Sequence, residues 1–143
     1  MNQSKYIILD RDGVINQDSP AYVKTPDEWV PIERSMEAIS LLTKNSYKII
    51  LISNQAGISR GIISYNEMLN IHQKLLKTCH KFGGTIFSTY YCYDHPDDKS
   101  SFRKPMPGMY LEISERLNID LSRVFAIGDS LRDIKAALSS GCK

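Results

Sequence analysis

The sequence has few cysteines and no long apolar run, and both shortages narrow the class of protein. Only three cysteines occur among its 143 residues, at Cys79, Cys92 and Cys142. Three scattered cysteines do not form a disulfide framework, so we expect a reduced, cytoplasmic protein. No apolar run approaches the roughly 20 residues that a membrane-spanning helix needs. The apolar stretch near the amino terminus is too short for a signal peptide.

The sequence also lacks a strong charge of either sign. Its formal net charge is +2, and no basic stripe marks a surface for nucleic acid or an anionic membrane. The composition, with 42% hydrophobic and 24% charged residues and no biased tract, is ordinary for a soluble globular protein. We therefore expect one domain, spanning residues 1–143, that acts as a monomer on a small molecule.

Short apolar runs alternate with helical patterns along the chain. Strands are predicted at residues 6–9, 47–52, 85–93 and 124–127, and helices at 35–45, at 64–82, from Pro107 and from Ser130. The last helix should turn Leu131, Ile134 and Leu138 inward. This alternation predicts an α/β fold, with a parallel sheet and helices on both of its faces.

A long irregular segment, residues 14–34, separates the first strand from the first helix. A loop of this length inside a compact domain is usually functional or disordered. The aromatic residues Tyr22 and Trp29 argue against disorder, and we expect Trp29 to anchor the loop. Asp18 and Tyr22 have equal claims to a structural role and to a role in binding.

Polar and charged side chains follow each of the four predicted strands. These residues are Asp10 and Asp12, then Ser53, then Arg103 and Lys104, and finally Asp129. The carboxyl ends of parallel strands meet at one edge of a sheet, where α/β proteins bind ligands. Carboxylates gathered there suit Mg²⁺, and the cationic and hydroxyl groups suit a phosphate. The sequence therefore predicts a magnesium-dependent phosphoryl-transfer site.

Each of these residues fits one role in that chemistry. Asp10 could attack phosphorus and form an aspartyl-phosphate, and Asp12 could protonate the leaving oxygen and then activate water. Asp10 and Asp129 would hold Mg²⁺. Ser53 and Lys104 would hold the phosphoryl oxygens.

Four short motifs resemble those of the haloacid dehalogenase superfamily. They are DRDG at 10–13, SNQ at 53–55, RKP at 103–105 and GDSLRD at 128–133. The resemblance implies a Rossmann-like fold, and the second aspartate is typical of the superfamily's phosphatases. The intervals between motifs leave no room for a cap domain. Relatives continue through a further strand and helix, so we expect these two elements to be absent here and the fourth strand to lie at an uncovered edge.

Other stretches resemble the heptose-bisphosphate phosphatases within that superfamily. They are residues 16–32, 53–61, 90–92 and 103–109. This resemblance implies removal of the 7-phosphate of a heptose 1,7-bisphosphate, on the route to ADP-heptose and the lipopolysaccharide core. It implies metal ligands at Asp10, Asp12 and Asp129, and substrate contacts at Asp18, Tyr22, Asn54 and Arg103. Two alternatives remain: a histidinol-phosphate phosphatase, which shares the four motifs, and a shortened remnant without catalysis.

The sequence departs from this family in the loop before RKP. Family members usually carry a zinc-binding Cys-x-His and Cys-x-Cys there. Here Cys92 and His95 remain, and residues 100–102 are Ser-Ser-Phe where the later cysteines belong. Structural zinc wants four ligands, so we expect Mg²⁺ as the cofactor and no zinc.

Overall fold

The computed structural model describes residues 4–143, and strands and helices alternate along this part of the chain. The strands are β1 (Lys5–Leu9), β2 (Tyr47–Asn54), β3 (Ile86–Cys92) and β4 (Phe125–Ile127). The helices are α1 (Ser35–Lys44), α2 (Tyr65–Lys81), α3 (Gly108–Leu117) and α4 (Leu131–Ser140). These bounds confirm the predicted order of elements. The predicted domain also includes residues 1–3, which lie outside the described residues.

The four strands form one parallel sheet in the order β3-β2-β1-β4. The chain moves outward from β1 through β2 to β3, and then crosses back to place β4 on the other side of β1. The strand order therefore reverses between β1 and β4. In open α/β sheets, ligands bind at the carboxyl ends of the strands at this point of reversal. Within residues 4–143, no cap domain interrupts the alternation.

Both faces of the sheet are covered by helices, as the unbroken apolar strands predict. On one face, Ile7, Leu9 and Leu51 pack with Met36 and Ile39 of α1 and with Ile71 and Leu75 of α2. On the other face, Ile8, Ile50 and Ile52 pack with Met109 and Ile113 of α3 and with Ala136 of α4. Alternate residues of one strand thus enter opposite cores, because successive side chains point to opposite faces of a sheet. The two cores hold the loops at the carboxyl edge in place.

The long loop after β1 is ordered by its own core residues. Trp29 is 1% exposed and Val23 is 3% exposed, and both belong to the core on the α1 side of the sheet. The ammonium of Lys74, on α2, donates to the carbonyl oxygens of Pro26 (2.6 Å) and Trp29 (3.1 Å). The prediction that Trp29 anchors this loop is confirmed.

The prediction for the inward face of α4 is wrong. Leu131, Ile134 and Leu138 are 63%, 53% and 66% exposed, whereas Ala136 is fully buried. The reason is the cap of the helix. The carboxylate of Asp133 accepts from both the backbone N–H and the hydroxyl of Ser130. This cap turns Asp133 and the small alanines toward the sheet, and the leucine side of the helix faces outward.

On the side away from β1, the backbone of β4 is paired with Lys143. Phe125 and Ile127 of this strand are 54% and 48% exposed. The amide of Ala126 donates to the carbonyl of Lys143, whose own amide donates to the carbonyl of Val124, both at 2.9 Å. None of the helices between residues 4 and 143 has the length and apolar character needed to cross a membrane.

Candidate active site

A cleft of about 240 Å³ opens at the carboxyl ends of the strands. All nine residues that the sequence predicts for the site line it: Asp10, Asp12, Asp18, Tyr22, Ser53, Asn54, Arg103, Lys104 and Asp129. They come from the ends of β1, β2 and β4, from the loop after β1 and from the loop after β3. The structure therefore brings together residues that lie far apart in the sequence. Their individual chemical roles stay predictions.

A second groove, of about 380 Å³, lies at the opposite edge of the sheet. Lys5, Tyr6, Tyr47 and Phe125 are among its lining residues, and Asp120 is its only carboxylate. Among the described residues, the one cluster of carboxylates that could share a metal ion lies at the smaller cleft. The smaller cleft is therefore the better candidate for chemistry.

Three carboxylates converge at the reversal of strand order. Asp10, Asp129 and Asp133 offer oxygen atoms that all lie within 4.8 Å of one another. Gly13 lets this happen. Its φ is +85°, and a Cβ built on it would overlap the Asp129 carboxylate, so both the turn and the close approach require glycine. Hard oxygen ligands in such a cluster fit Mg²⁺.

The carboxylate of Asp10 is held beside a buried ammonium. Its Oδ1 accepts from the backbone N–H of Arg11 at 2.8 Å and lies 3.1 Å from Lys104 Nζ. Burial raises the pKa of Asp10 to about 6, and the neighbouring Asp133 adds to the rise, while Lys104 opposes it. Metal-free Asp10 is therefore ionised at neutral pH and protonated in mild acid.

Asp133 is a site residue that the sequence analysis did not assign to chemistry. It is 3% exposed, and its carboxylate pairs with Lys104. Burial alone would raise its pKa, but the charge of Lys104 and the bonds from Ser130 hold the pKa below its usual range. The same Lys104 Nζ also donates to the carbonyl of Ile52 at 3.1 Å. The sequence signal was the GDSLRD motif, whose last residue is Asp133.

The carboxylate of Asp12 is surrounded by hydrogen-bond donors. Arg11 Nε and Asn16 Nδ2 donate to Oδ1, each at 2.9 Å. Arg11 Nη2 at 3.3 Å and Gln55 Nε2 at 3.0 Å donate to Oδ2. Burial would raise the pKa of Asp12, but Arg11 and these other donors hold the pKa below its usual range. Both oxygens of Asp12 are thus committed to protein groups, and its predicted role as a metal ligand stays a prediction.

Ser53 and Asn54, at the end of β2, are hydrogen-bonded to other residues of the site. Ser53 is buried, and its hydroxyl accepts from Gln55 Nε2 at 2.9 Å. The side-chain amide of Asn54 spans the backbone of Lys104, accepting from its N–H and donating to its carbonyl, both at 3.0 Å. Asn54 therefore fixes the loop that delivers Lys104 to the cleft, whether or not it also touches substrate.

Two arginine residues line the cleft. Arg103 and Arg132 both line it, and among the described residues Arg103 Nη1 is a buried donor without a hydrogen-bond partner. Partial burial, followed by repulsion from Arg132, lowers the pKa of Arg103. A buried guanidinium donor without a partner is costly, and an anionic ligand would satisfy it.

Comparison with known proteins accounts for this arrangement. The family model described as haloacid dehalogenase-like hydrolase matches residues 8–141. This chain belongs to the haloacid dehalogenase-like hydrolases. A D-glycero-beta-D-manno-heptose-1,7-bisphosphate 7-phosphatase from Bordetella bronchiseptica is 46% identical over 138 residues, which cover 96% of this chain and 77% of the relative. A protein of the same name from Pseudomonas aeruginosa is 42% identical over 137 residues, with the same two coverages.

Solved structures of hydrolases in this family share the fold. The crystal structure of D,D-heptose 1,7-bisphosphate phosphatase from B. bronchiseptica, complexed with magnesium and phosphate, superposes with a TM-score of 0.95 at 46% identity. It covers 96% of this chain and 77% of that one. The corresponding enzyme from Burkholderia thailandensis gives a TM-score of 0.72 at 33% identity, over 96% and 74% of the two chains. The chain is therefore a phosphoric monoester hydrolase.

The loop after β3 is organised by hydrogen bonds. The hydroxyl of Ser100 donates to Asp94 and accepts from the amides of Phe102 and Arg103. His95 Nδ1 accepts from the amide of Asp97 at 3.1 Å. Ser100, a hydroxyl residue, thus acts as the centre of the turn.

We expect metal analysis of the purified chain to find no tightly bound zinc. The loop offers too few thiolate and imidazole ligands for a closed tetrahedral site. The measurement is elemental analysis after dialysis against a weak chelator, with thermal unfolding followed in parallel. About one zinc ion retained per chain, together with unfolding by a strong chelator, would show that this expectation is wrong.

Proposed function

We propose that this hydrolase removes the 7-phosphate of D-glycero-D-manno-heptose 1,7-bisphosphate, through an aspartyl-phosphate on Asp10 and with Mg²⁺ as cofactor. The observation that carries the proposal is the pairing of two features in one cleft. A carboxylate cluster adjoins Lys104, and the same cleft is lined by Arg103, whose Nη1 has no hydrogen-bond partner among the described residues. The carboxylate cluster with Lys104 suits the phosphate that is cleaved, and Arg103 suits the phosphate that remains on the sugar.

The attack on phosphorus falls to Asp10. An oxygen of its carboxylate forms the new bond to phosphorus while the bond to the sugar oxygen breaks. Lys104 holds this carboxylate at 3.1 Å, and together with the Ser53 hydroxyl it would bind the non-bridging phosphoryl oxygens. Asp10, Asp129 and Asp133 would hold Mg²⁺, which when bound offsets the repulsion between the anionic nucleophile and the phosphate.

Asp12 handles the protons of both half-reactions. In its protonated form it gives to the sugar oxygen, as that oxygen leaves, the proton that it gained in the preceding turnover. It then takes a proton from the water that hydrolyses the aspartyl-phosphate, which restores the protonated form. The hydrogen bonds from Asn16 and Gln55 help to fix the position of its carboxylate. The products are the heptose 1-phosphate and inorganic phosphate.

The two arginines that line the cleft favour a bisphosphate over histidinol phosphate. A second phosphate would accept from Arg103 Nη1, which the protein leaves without a partner. The ammonium group of histidinol would instead meet Arg103 and Arg132 with the same sign of charge. Tyr22 and Asp18 also line the cleft and would contact the sugar hydroxyls.

Phosphate release from a panel of substrates tests this proposal. We expect the heptose 1,7-bisphosphate to be hydrolysed fastest, histidinol phosphate at least about tenfold more slowly in kcat/KM, and neither without Mg²⁺. Arg103→Met should raise KM for the bisphosphate by about tenfold or more, since a charge-assisted hydrogen bond contributes about 1.5–3 kcal/mol. Arg34→Met, which changes an exposed arginine outside the cleft, is the matched control. Faster turnover of histidinol phosphate would contradict the proposal.

We also expect Mg²⁺ binding to weaken in mild acid. The pKa of Asp10 is about 6 in the metal-free protein, so protonation removes one ligand as the pH falls through that value. Titration calorimetry should show weaker Mg²⁺ binding at about pH 5 than at about pH 7.5, and Asp129→Ala should weaken binding at both. Affinity that is independent of pH and of Asp129 would place the metal elsewhere.

The remaining expectations belong to this proposal as well. We propose that the hydrolase acts in the synthesis of ADP-heptose for the lipopolysaccharide core, in the cytoplasm. The small net charge of +2 supports a small-molecule substrate rather than a nucleic acid. We expect the hydrolase to act as a monomer.

A further inference from the structure

Arg11 is a charged residue that the mechanism above leaves without a role of its own. It lies between the two aspartates of DRDG, and its side chain is fully buried. A fully buried guanidinium is rare unless every part of it is paired, because removing the charge from water is costly. Arg11 is not among the described residues that line the cleft. Its partners therefore indicate what it does.

The guanidinium donates hydrogen bonds from two of its nitrogens to the Asp12 carboxylate. Nε donates to Oδ1 at 2.9 Å, and Nη2 lies 3.3 Å from Oδ2. Two parallel bonds of this kind fix the plane of a carboxylate as well as its position, which a single ammonium cannot do. Nη2 also donates to Gln55 Oε1 at 3.1 Å. The Nε2 of the same Gln55 returns to Asp12 Oδ2 at 3.0 Å, so Arg11 and Gln55 close a ring around that oxygen.

The guanidinium of Arg11 also contacts the protein on the side away from Asp12. Its guanidinium carbon lies 5.5 Å from the ring centre of Tyr91, and Nη1 lies 3.4 Å from the sulfur of Met68. The hydroxyl of Tyr91 is in turn hydrogen-bonded to His72 Nδ1 at 2.9 Å. Residues from β3 and α2 therefore hold the guanidinium in one orientation, and Arg11 passes that orientation to Asp12.

We propose that Arg11 is a positioning residue, which aims the Asp12 carboxyl group at the oxygen of the leaving alcohol. This inference rests on the proposed role of Asp12 as acid and base. In the first half-reaction the O–H bond of Asp12 breaks as a new O–H bond forms on the leaving oxygen, while the bond between that oxygen and phosphorus breaks. Transfer of a proton while another bond breaks requires that the donor lies within hydrogen-bond distance of the acceptor and in line with it. The paired hydrogen bonds from Arg11 Nε and Nη2 supply that alignment.

The expected signature is a dependence on the leaving group. A sugar alcohol is a poor leaving group and needs the proton, whereas p-nitrophenolate leaves without one. The kcat/KM value reports the steps up to departure of the alcohol, so the later hydrolysis of the aspartyl-phosphate does not enter it. Loss of alignment should therefore lower kcat/KM for the sugar phosphate and spare kcat/KM for p-nitrophenyl phosphate.

The test compares Arg11→Lys with the unaltered chain on both substrates. Lysine keeps a positive charge beside Asp12 but lacks the planar pair of donors. We expect kcat/KM for the heptose bisphosphate to fall by about 10- to 100-fold, within the range that general acid catalysis supplies. For p-nitrophenyl phosphate we expect a change of less than about threefold. Arg116→Lys, at an exposed arginine of α3 paired with Glu112, is the matched control and should change neither value.

Equal losses on both substrates would overturn the proposal, because a merely structural role would impair both reactions alike. An unchanged value for the sugar phosphate would overturn it as well. Folding of each variant is checked by circular dichroism. If Arg11→Lys does not fold, Gln55→Met replaces it, since Gln55 holds both Arg11 and Asp12, and the ratio of the two substrates remains the readout.

Failure of the proposed function would look different. In that case the unaltered chain would not hydrolyse the heptose bisphosphate. The comparison would then use whichever alkyl phosphate of the panel the unaltered chain does hydrolyse. The same selective loss on that ester would support the role of Arg11, and a uniform loss would reject it.

Discussion

Asp10→Asn should reduce kcat by at least about 10⁴-fold, since loss of a nucleophile removes the covalent route entirely. Asparagine has the same shape as aspartate, but its amide does not attack phosphorus. The substitution also removes one oxygen ligand from the carboxylate cluster. The fold should survive, because the ionised carboxylate of Asp10 is itself costly to bury, which is why its pKa is raised to about 6. The measurement is phosphate release under saturating Mg²⁺ and substrate.

The matched control is Asp97→Asn, which changes an exposed carboxylate in the loop after β3. It should leave kcat within about twofold of the unaltered value. Rapid quenching should also trap a phosphorylated peptide that contains Asp10 in the unaltered chain and none in Asp10→Asn. Near-normal turnover by Asp10→Asn would show that water attacks phosphorus directly and that Asp10 is not the nucleophile.

Lys104→Met should have a large effect on both activity and stability. Lys104 is 3% exposed and lies between the carboxylates of Asp10 and Asp133, so its removal leaves two buried anions without their counter-charge. Breaking a buried ion pair from one side costs about 3–5 kcal/mol. That is a large share of a typical free energy of unfolding of about 5–15 kcal/mol. We expect kcat to fall by at least about 100-fold, because the phosphate also loses its cationic partner.

Lys99→Met is the control for this substitution, since Lys99 lies in the same loop but is exposed. It should change the free energy of unfolding by less than about 0.5 kcal/mol. Urea denaturation measures both variants, and Mg²⁺ should partly restore the stability of Lys104→Met by offsetting the repulsion between the carboxylates. If Lys104→Met is as stable and as active as Lys99→Met, the central place given to Lys104 is wrong.

The position of the site was predictable from the sequence because of one geometric rule. In a parallel sheet every strand ends at the same edge, so polar residues that follow buried strands meet. Asp10, Ser53, Lys104 and Asp129 obey this rule, and all four line the cleft. The apolar runs before Asp10 and Ser53 also predicted that both faces of the sheet are covered, which the two cores confirm.

The sequence could not predict which residues support the site from behind. Arg11 lies between two aspartates in a short motif, and its burial follows from Tyr91 and Met68, which lie far along the chain. The prediction of which side of α4 faces the sheet was wrong for a related reason. Its leucines have helical spacing, but the cap and ion pair of Asp133 determine which side of the helix meets the sheet. Long-range polar contacts of this kind leave no periodic signal.

The most direct test of the proposed function is to follow turnover of the heptose 1,7-bisphosphate by phosphorus NMR in the presence of Mg²⁺. The proposal predicts that the signal of the 7-phosphate disappears as inorganic phosphate appears, while the signal of the 1-phosphate persists. Histidinol phosphate at the same concentration should lose its phosphate much more slowly. Loss of the 1-phosphate, or faster hydrolysis of histidinol phosphate, would contradict the proposal.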